Sequence, residues 1–382
     1  MSDQHSIQLQ TGKLLISVLS ARFSLDHLLT FGSRLNPKRR FLFVSKVLGK
    51  YVPCQPSTMR KSYQVLASQI QPLVSPSSNI WVLGIAETAT GLAAGVAQEI
   101  KLSGDAQQVV YSHTTRCQID KEIDFSIIEA HSHAPSHLIY SLEKPLNQQG
   151  ITTAILVDDE ISTGKTLAQL TNQLLERLPL LKTVVWASLV NWVSEEDRAL
   201  FAEQYPNINL LFCSLLDGNF AFSADETFKD QLPKNTAVGI SKAVSRADIG
   251  RTGYLVQKRP QYSFVSIETN CAISLQQDQK YTVVGTGEFS YQPFLFAEEL
   301  EQRGFDILFQ STGRSPAIED CGIKSKISCF DNGHQGMFYL YNLPKNRQVI
   351  LCYENREQYD NCPFKDILAA KVVILDTFLS DT

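Results

Sequence analysis

Apolar residues come in short runs through the middle of the chain, each followed by a stretch with helical spacing. The run at 80–84, Ile-Trp-Val-Leu-Gly, predicts a buried strand, and the Ala-rich stretch 91–101 beyond it predicts a helix. The pattern then recurs. An apolar run at 151–157 ends in a polar turn at 158–164 and a helix that reaches Arg177. A strand at 183–190 precedes a helix over 195–204, and a further strand follows at 208–216. Alternating strands and crossover helices imply a parallel sheet covered on both faces. Between 217 and 260 the rhythm dissolves into polar, Gly- and Lys-containing sequence, and then it resumes. The later pattern is a strand at 281–284, a turn at 285–288, a helix over 293–303 with Pro293 in its first turn, and strands at 305–310, 348–353 and 370–375. The expected architecture is α/β, with a first domain over 1–239, a linker over 240–262 and a second, smaller α/β domain over 263–382.

Bulk composition narrows the class. A chain of 382 residues is long for a single core, and 43% hydrophobic with 19% charged residues is the profile of a folded protein. A net charge of -4 argues against a protein built to coat nucleic acid or an anionic membrane. The apolar run from Leu14 to Leu19 is too short to span a bilayer, and no secretory signal is read before it, so a cytoplasmic protein is expected. Eight cysteines, at 54, 117, 213, 271, 321, 329, 352 and 362, form no C-x-x-C pair and read as reduced thiols rather than a disulfide framework or a zinc site.

The most informative stretch is 155–166, Ile-Leu-Val-Asp-Asp-Glu-Ile-Ser-Thr-Gly-Lys-Thr. Apolar residues end in Asp158 and Asp159, and a Ser/Thr/Gly turn then opens a helix. At such a turn backbone N–H groups and the positive helix end converge on one point, which suits a phosphate. Ser162, Thr163 and Thr166 add hydroxyl donors, Lys165 adds a charge, and Gly164 lets the backbone approach an anion closely. Two carboxylates just before the turn suit a vicinal diol. Phosphate and diol side by side describe a ribose 5-phosphate. Two other readings stand beside this one. Gly164-Lys165-Thr166 ends like a Walker loop, but Asp159 occupies the position where that loop needs Gly. The stretch also reads as an acidic loop capping a helix.

This segment resembles the signature of type I phosphoribosyltransferases. Further pieces resemble the orotate-phosphoribosyltransferase-like branch that carries a C-terminal TRSP domain and is associated with bacterial tellurium-resistance and stress-response gene clusters. The matching pieces are Asn36-Pro-Lys-Arg-Arg-Phe-Leu-Phe-Val-Ser-Lys-Val-Leu-Gly-Lys50, Gly84-Ile-Ala-Glu-Thr-Ala-Thr90, Glu129-Ala-His-Ser-His-Ala-Pro135, the Asp158 loop and Ser311-Thr-Gly-Arg-Ser-Pro316. Gly313 stands where the family name implies a second Thr before Arg314. The resemblance implies a Rossmann-like parallel sheet with phosphoribosyl pyrophosphate (PRPP) as co-substrate. Asp158 and Asp159 would hold the ribose hydroxyls and, indirectly, Mg2+, and residues 162–166 would hold the 5-phosphate. It also implies a homodimer, with stress-operon enzymes as possible partners.

The other constellations each admit two readings. Ala86, Glu87, Thr88, Ala89 and Thr90 follow a strand and enter a helix, so they read as a pyrophosphate loop or as a plain helix cap. Residues 111–140 carry Arg116, Lys121, Glu129, His131, His133 and His137 with little periodicity, and the resemblance makes this segment a mobile hood. Arg116 would stabilise departing pyrophosphate. His131 and His133 read as catalytic groups, as zinc ligands or as solvated loop residues. Lys38, Arg39, Arg40, Lys46 and Lys50 form the only local basic cluster, either a solvated face or a contact for an anion. Ser311, Thr312, Arg314 and Ser315 follow a strand of the second domain and read as a substrate contact or as a simple turn. The combined reading is transfer of ribose phosphate from PRPP, with Mg2+, to an acceptor resembling a heterocyclic base. The alternatives are a non-catalytic sensor of PRPP or a nucleotide, and the reverse, base-releasing reaction.

Overall fold

Five strands, Asn209–Ala224, Thr183–Asn191, Thr153–Ile161, Asn79–Gly84 and Gln108–His113, pair side by side in parallel in that spatial order. In this computed structural model the described residues are all but 1–2, 37–38, 105, 129–135, 144–145, 147, 229–248, 259, 333–335 and 380–382. An antiparallel hairpin, Asp3–Leu9 and Gly12–Ala21, extends the sheet at one edge, and the short strand Tyr254–Leu255 closes the other. The central strands are almost wholly apolar because both of their faces are covered. Period-two alternation sends Ile80, Val82, Ile155 and Val157 into a core shared with Leu66 and Leu92 of the helices Pro56–Ile70 and Thr90–Ser103. Trp81, Leu83, Leu156 and Trp186 go to the opposite face, against Leu167 and Leu170 of the helix Lys165–Arg177.

The chain leaves strand Asn79–Gly84 toward Gln108–His113 on one side and returns to Thr153–Ile161 on the other. Neighbouring connections therefore run in opposite directions from this pair. That reversal opens a crevice at the carboxyl ends of the two strands, where open α/β sheets bind ligands.

The second unit is built on a five-stranded sheet ordered Gln261–Ser266, Lys371–Leu379, Gln348–Tyr353, Lys280–Gly285, Asp306–Ser311, with the helix Tyr291–Gln302 against it. It shares its core with the first unit. Phe294 and Phe309 belong to the same buried cluster as Tyr63 and Leu92, and the Tyr63 and Phe294 rings meet edge to face at 5.3 Å. Arg60 of the first unit donates to both carboxylate oxygens of Glu298 at 2.7 Å. The backbone itself crosses between the units, because Cys54 and Phe309 exchange hydrogen bonds and Ser311 donates to Gly49 at 2.7 Å.

Several boundaries differ from the sequence expectation. The acidic strand runs on to Ile161 because its pairing with Thr183–Asn191 continues past Asp158, so the turn proper is only Ser162–Gly164. The strand expected to stop at 216 continues to Ala224 by pairing antiparallel with Gly12–Ala21. Of the expected linker, 240–248 lie outside the described residues. Tyr254–Leu255 belong to the first sheet, and Gln261–Ser266 begin the second.

Candidate active site

Asp158 and Asp159 stand on the last turn-ward residues of the central strand, at the reversal point. Asp158 Oδ1 accepts from the Asp159 amide at 2.9 Å. The neighbouring Glu160 is neutralised by a two-pronged pair with Arg39, at 2.7 and 2.8 Å. Burial, then the nearby Glu160 charge, pushes the Asp159 carboxyl up to about 6. Carboxylates in this position suit a divalent cation or a diol donating hydrogen bonds. Among the described residues no cluster of three or more His, Cys, Asp or Glu side chains forms a metal centre. Asp158 and Asp159 fit Mg2+ held chiefly by substrate oxygens and water.

Beyond the strand, Gly164 takes φ 71°, and a Cβ there would sit 2.8 Å from Trp186 and 3.0 Å from Phe201. Only glycine meets both demands. The helix that follows has no side-chain cap, so its first N–H groups are left for a ligand, with Thr163 and Lys165 exposed and Ser162 and Thr166 half-buried beside them.

The loop at 85–90 lies across the crevice. Ile85 N–H donates to Val157 at 2.9 Å, fastening the loop to the acidic strand, and Ala86 N–H donates to the Thr114 hydroxyl at 2.9 Å. The Ala86–Glu87 peptide is cis. Thr88 is half-buried, while Ala89 is buried and caps the helix through its carbonyl. The Thr90 hydroxyl is committed to the second unit, bonding Ser290 at 2.9 Å and the Glu288 carbonyl at 3.2 Å. With the Ile85, Ala86 and Ala89 amides also committed, the Glu87 and Thr88 amides and the Thr88 hydroxyl are left to meet an anion.

Residues expected as a hood form a hairpin, Ile123–Ile128 with Ser136–Tyr140, rooted on the helix Lys165–Arg177. Arg177 bonds Asp124 at 2.9 Å and lies over the Phe125 ring at 4.6 Å. His131 and His133, with Glu129, lie outside the described residues. His137 is fully buried, with Nδ1 at 2.8 Å from the Thr114 hydroxyl and Nε2 at 3.4 Å from Arg116 Nη2. Arg116 can only donate, so Nε2 accepts and Nδ1–H points to Thr114. A chain of contacts thus joins the loop at Ala86 to the Arg116 guanidinium.

The second unit closes over the same region. Arg314 Nε lies 3.6 Å from the Glu87 carboxylate, Arg314 Nη2 lies 3.7 Å from Cys117 Sγ, and its guanidinium covers the Phe338 ring at 5.2 Å. Lys50 lies 3.8 Å from the other Glu87 oxygen and donates to the carbonyls of Gly287 at 2.8 Å and Thr312 at 3.2 Å. Burial pushes the Lys50 ammonium down, with Glu87, Glu288 and Asp159 opposing that shift. Ser311 joins the units through its backbone, and the Thr312 hydroxyl bonds within the second unit. The Ser311 amide binds Gly49, and the Thr312 hydroxyl accepts from Gly287 N–H at 2.8 Å. Glu87 Oε1, Arg314 Nε and the Ser311 and Ser315 hydroxyls are buried without a hydrogen-bond partner. A Cβ at Gly313 would sit 3.7 Å from Glu87, an ordinary contact distance.

The basic cluster of the sequence does not form one surface. Lys38 lies outside the described residues. Arg39 pairs with Glu160, Arg40 reaches the Asp225 carbonyl at 3.4 Å, and Lys46 the Asp26 carbonyl at 2.5 Å. Lys50 reaches Glu87, and Arg39 reaches the acidic strand end beside Asp159. The sequence pattern placed Glu288 in a turn after a strand at the site's edge without giving it a role, and it did not single out Arg251 or Thr114, because each acts through a partner distant in the chain.

An acidic strand end, a Ser-Thr-Gly turn and the loop at 85–90 thus meet at the reversal of a parallel sheet. A family model described as phosphoribosyl transferase matches residues 28–219, and the model of the TRSP domain that follows it matches residues 248–370. The chain belongs to the phosphoribosyl transferase family and is an enzyme of the pentosyl-transferring type. Solved structures are similar at low identity and low TM-score. An adenine phosphoribosyl transferase from Trypanosoma brucei is 14% identical over 50% of this chain and 77% of that one, with a TM-score of 0.35. An orotate phosphoribosyltransferase from Aeropyrum pernix is 17% identical over 50% of this chain and 89% of that one, with a TM-score of 0.32. An adenine phosphoribosyltransferase from Leishmania donovani is 14% identical over 52% and 82%, with a TM-score of 0.33. No curated protein matches the chain. Among the described residues no helix is long and apolar enough to cross a membrane.

Proposed function

We propose that the protein transfers the ribose 5-phosphate of PRPP to a heterocyclic-base acceptor and releases pyrophosphate, with Mg2+ bound alongside the co-substrate. The observation that carries this is the placing of Asp158, Asp159 and the Ser162–Thr166 turn at the sheet's reversal point, facing the loop at 85–90. In this reading the turn amides and the Ser162, Thr163 and Thr166 hydroxyls hold the 5-phosphate, with Lys165 beside them. Asp158 and Asp159 accept from the ribose hydroxyls. The loop at 86–90 holds the pyrophosphate through the Glu87 and Thr88 amides and the Thr88 hydroxyl, and Arg116 stabilises its charge as it leaves. Mg2+ would supply charge neutralisation between pyrophosphate and ribose oxygens. Catalysis comes from positioning and electrostatics rather than a covalent intermediate. Arg314 and Ser315 line the acceptor side, and His131 and His133 on the hood act on the reacting centre. The reading also includes a cytoplasmic homodimer working beside stress-response enzymes, carried by the family resemblance.

A second reading is favoured by Glu87, whose carboxylate occupies the loop where a diphosphate would lie. A sensor that binds PRPP without turning it over would tolerate that charge. Calorimetric titration with PRPP, with and without Mg2+, tests the first reading. Magnesium-dependent binding is expected, and it should vanish in Asp158→Asn and Asp159→Asn. Binding unchanged in both variants overturns the site. Binding in the wild type with no pyrophosphate released against a panel of bases favours the sensor.

A further inference from the structure

Glu288 lies in the second unit, in the turn after strand Lys280–Gly285, and its side chain reaches into the first unit. There Oε1 accepts from the Arg116 amide at 2.8 Å, and Oε2 accepts from the Thr115 hydroxyl. Its carbonyl accepts from the Thr90 hydroxyl at 3.2 Å. One residue of the second unit thus holds both the end of the loop at 85–90 and the start of the hood. The hood segment it holds carries Thr114, whose hydroxyl receives the Ala86 N–H at 2.9 Å.

The carboxylate is itself fixed from behind. Arg251 donates to it at 3.2 Å and to Glu354 at 3.1 Å, and Glu288, Arg251 and Glu354 are 6%, 2% and 0% exposed. Burial alone would push the Glu288 carboxyl up, but Arg251, with His113, Arg314 and the Arg116 amide, holds it well below the usual carboxylate range. An ionised carboxylate only accepts, so it can receive Thr115, Arg116 and Arg251 together, which an amide or a protonated acid cannot.

We propose that Glu288 is a positioning residue for the PRPP site: its carboxylate fixes the backbone at 115–116 and, through the adjoining Thr114 that accepts the Ala86 N–H, anchors the loop whose Glu87 and Thr88 amides meet the ligand, so the second unit completes the site of the first. Amides held in place before a ligand arrives bind it without an ordering cost, and amides on a slack segment do not. The inference rests on the reading of the crevice as a PRPP site.

The test is calorimetric titration of full-length protein with PRPP and Mg2+, alongside thermal unfolding, for wild type, Glu288→Gln, Thr115→Val and Glu354→Gln. Glu288→Gln turns one accepting oxygen into an NH2 group. Thr115→Val removes the hydroxyl contact from the other side. Glu354→Gln disturbs the same buried arginine without touching 114–116. The expected result is a loss of at least about tenfold in PRPP affinity for Glu288→Gln, a smaller loss for Thr115→Val, and a change within about twofold for Glu354→Gln despite a lowered Tm. Wild-type affinity in Glu288→Gln, or an equal loss in Glu354→Gln, overturns the proposal, because a merely structural role moves both alike. Should Glu288→Gln not fold, wild-type affinity in Thr115→Val overturns it. No binding by the wild type overturns the parent reading, and this inference with it.

Discussion

Asp159 shows how one side chain can tie ligand binding to pH. Its carboxyl, pushed up to about 6 by burial and then by Glu160, is more easily protonated in the folded chain than in the unfolded one. A raised acid stabilises the fold in its neutral form. That contribution is full below the unfolded value near 4 and is lost as pH rises through 6. Wild type is therefore expected to lose stability between pH 5 and pH 8 relative to Asp159→Asn, by about 1–3 kcal/mol, measured by urea unfolding at both values. A parallel pH dependence in the two proteins would refute the assignment. Magnesium-dependent PRPP binding should run the opposite way and strengthen over the same interval, because the cation favours the ionised form. Arg116 lies at the other end of the site, held at its backbone by Glu288 and at its guanidinium by His137. Arg116→Ala is expected to slow pyrophosphate release by about 100-fold while PRPP affinity changes by less than about threefold. Equal losses in both would place its role in binding rather than in the transition state.

At the scale of elements, the turn between the acidic strand and its helix is the most constrained. Gly164→Ala must bring a Cβ to 2.8 Å from Trp186 at φ 71°. A loss of about 2 kcal/mol in stability is expected, together with weaker PRPP binding, read from denaturant unfolding and calorimetry. Stability loss with unchanged affinity would show that the turn is only structural. The hood belongs to the same scale. Its stem is packed on the helix Lys165–Arg177, which also begins at the Ser162–Gly164 turn, so the turn and the hairpin share one support.

Across the whole molecule, the two units behave as one body because their cores are continuous. Arg60, a first-unit cation, is enclosed by Glu298 of the second unit, Glu99 and the Tyr63 and Phe294 rings. The backbone exchange between Cys54 and Phe309 ties the units further. Thermal unfolding is expected to follow a single cooperative transition, with calorimetric and van't Hoff enthalpies in agreement. A protein cut after residue 239 should expose Tyr63, Leu92 and their neighbours and bind a hydrophobic dye. Two separated transitions would show that the units fold independently.

Much of this molecule is written locally in its sequence. Continuous apolar runs such as 80–84 and 183–190 mark strands buried on both faces, and the acids followed by Ser-Thr-Gly mark a strand end, a tight turn and a helix start, because these are set by neighbours in the chain. The edges of the elements were less legible. Whether a strand stops at Val157 or Ile161 depends on how far its partner continues, and the partner is 30 residues away in the register Asn191↔Ile161. The edge hairpin Asp3–Ala21 escaped notice because half of its side chains face solvent. Tertiary structure alone decided which charges meet. Glu87 and Arg314, Lys50 and Thr312, and Glu288 and Arg116 are each brought together from opposite units, and no spacing in the chain encodes such pairs. Their energy lies in burial and in the geometry of partners, which exist only once the two sheets have packed.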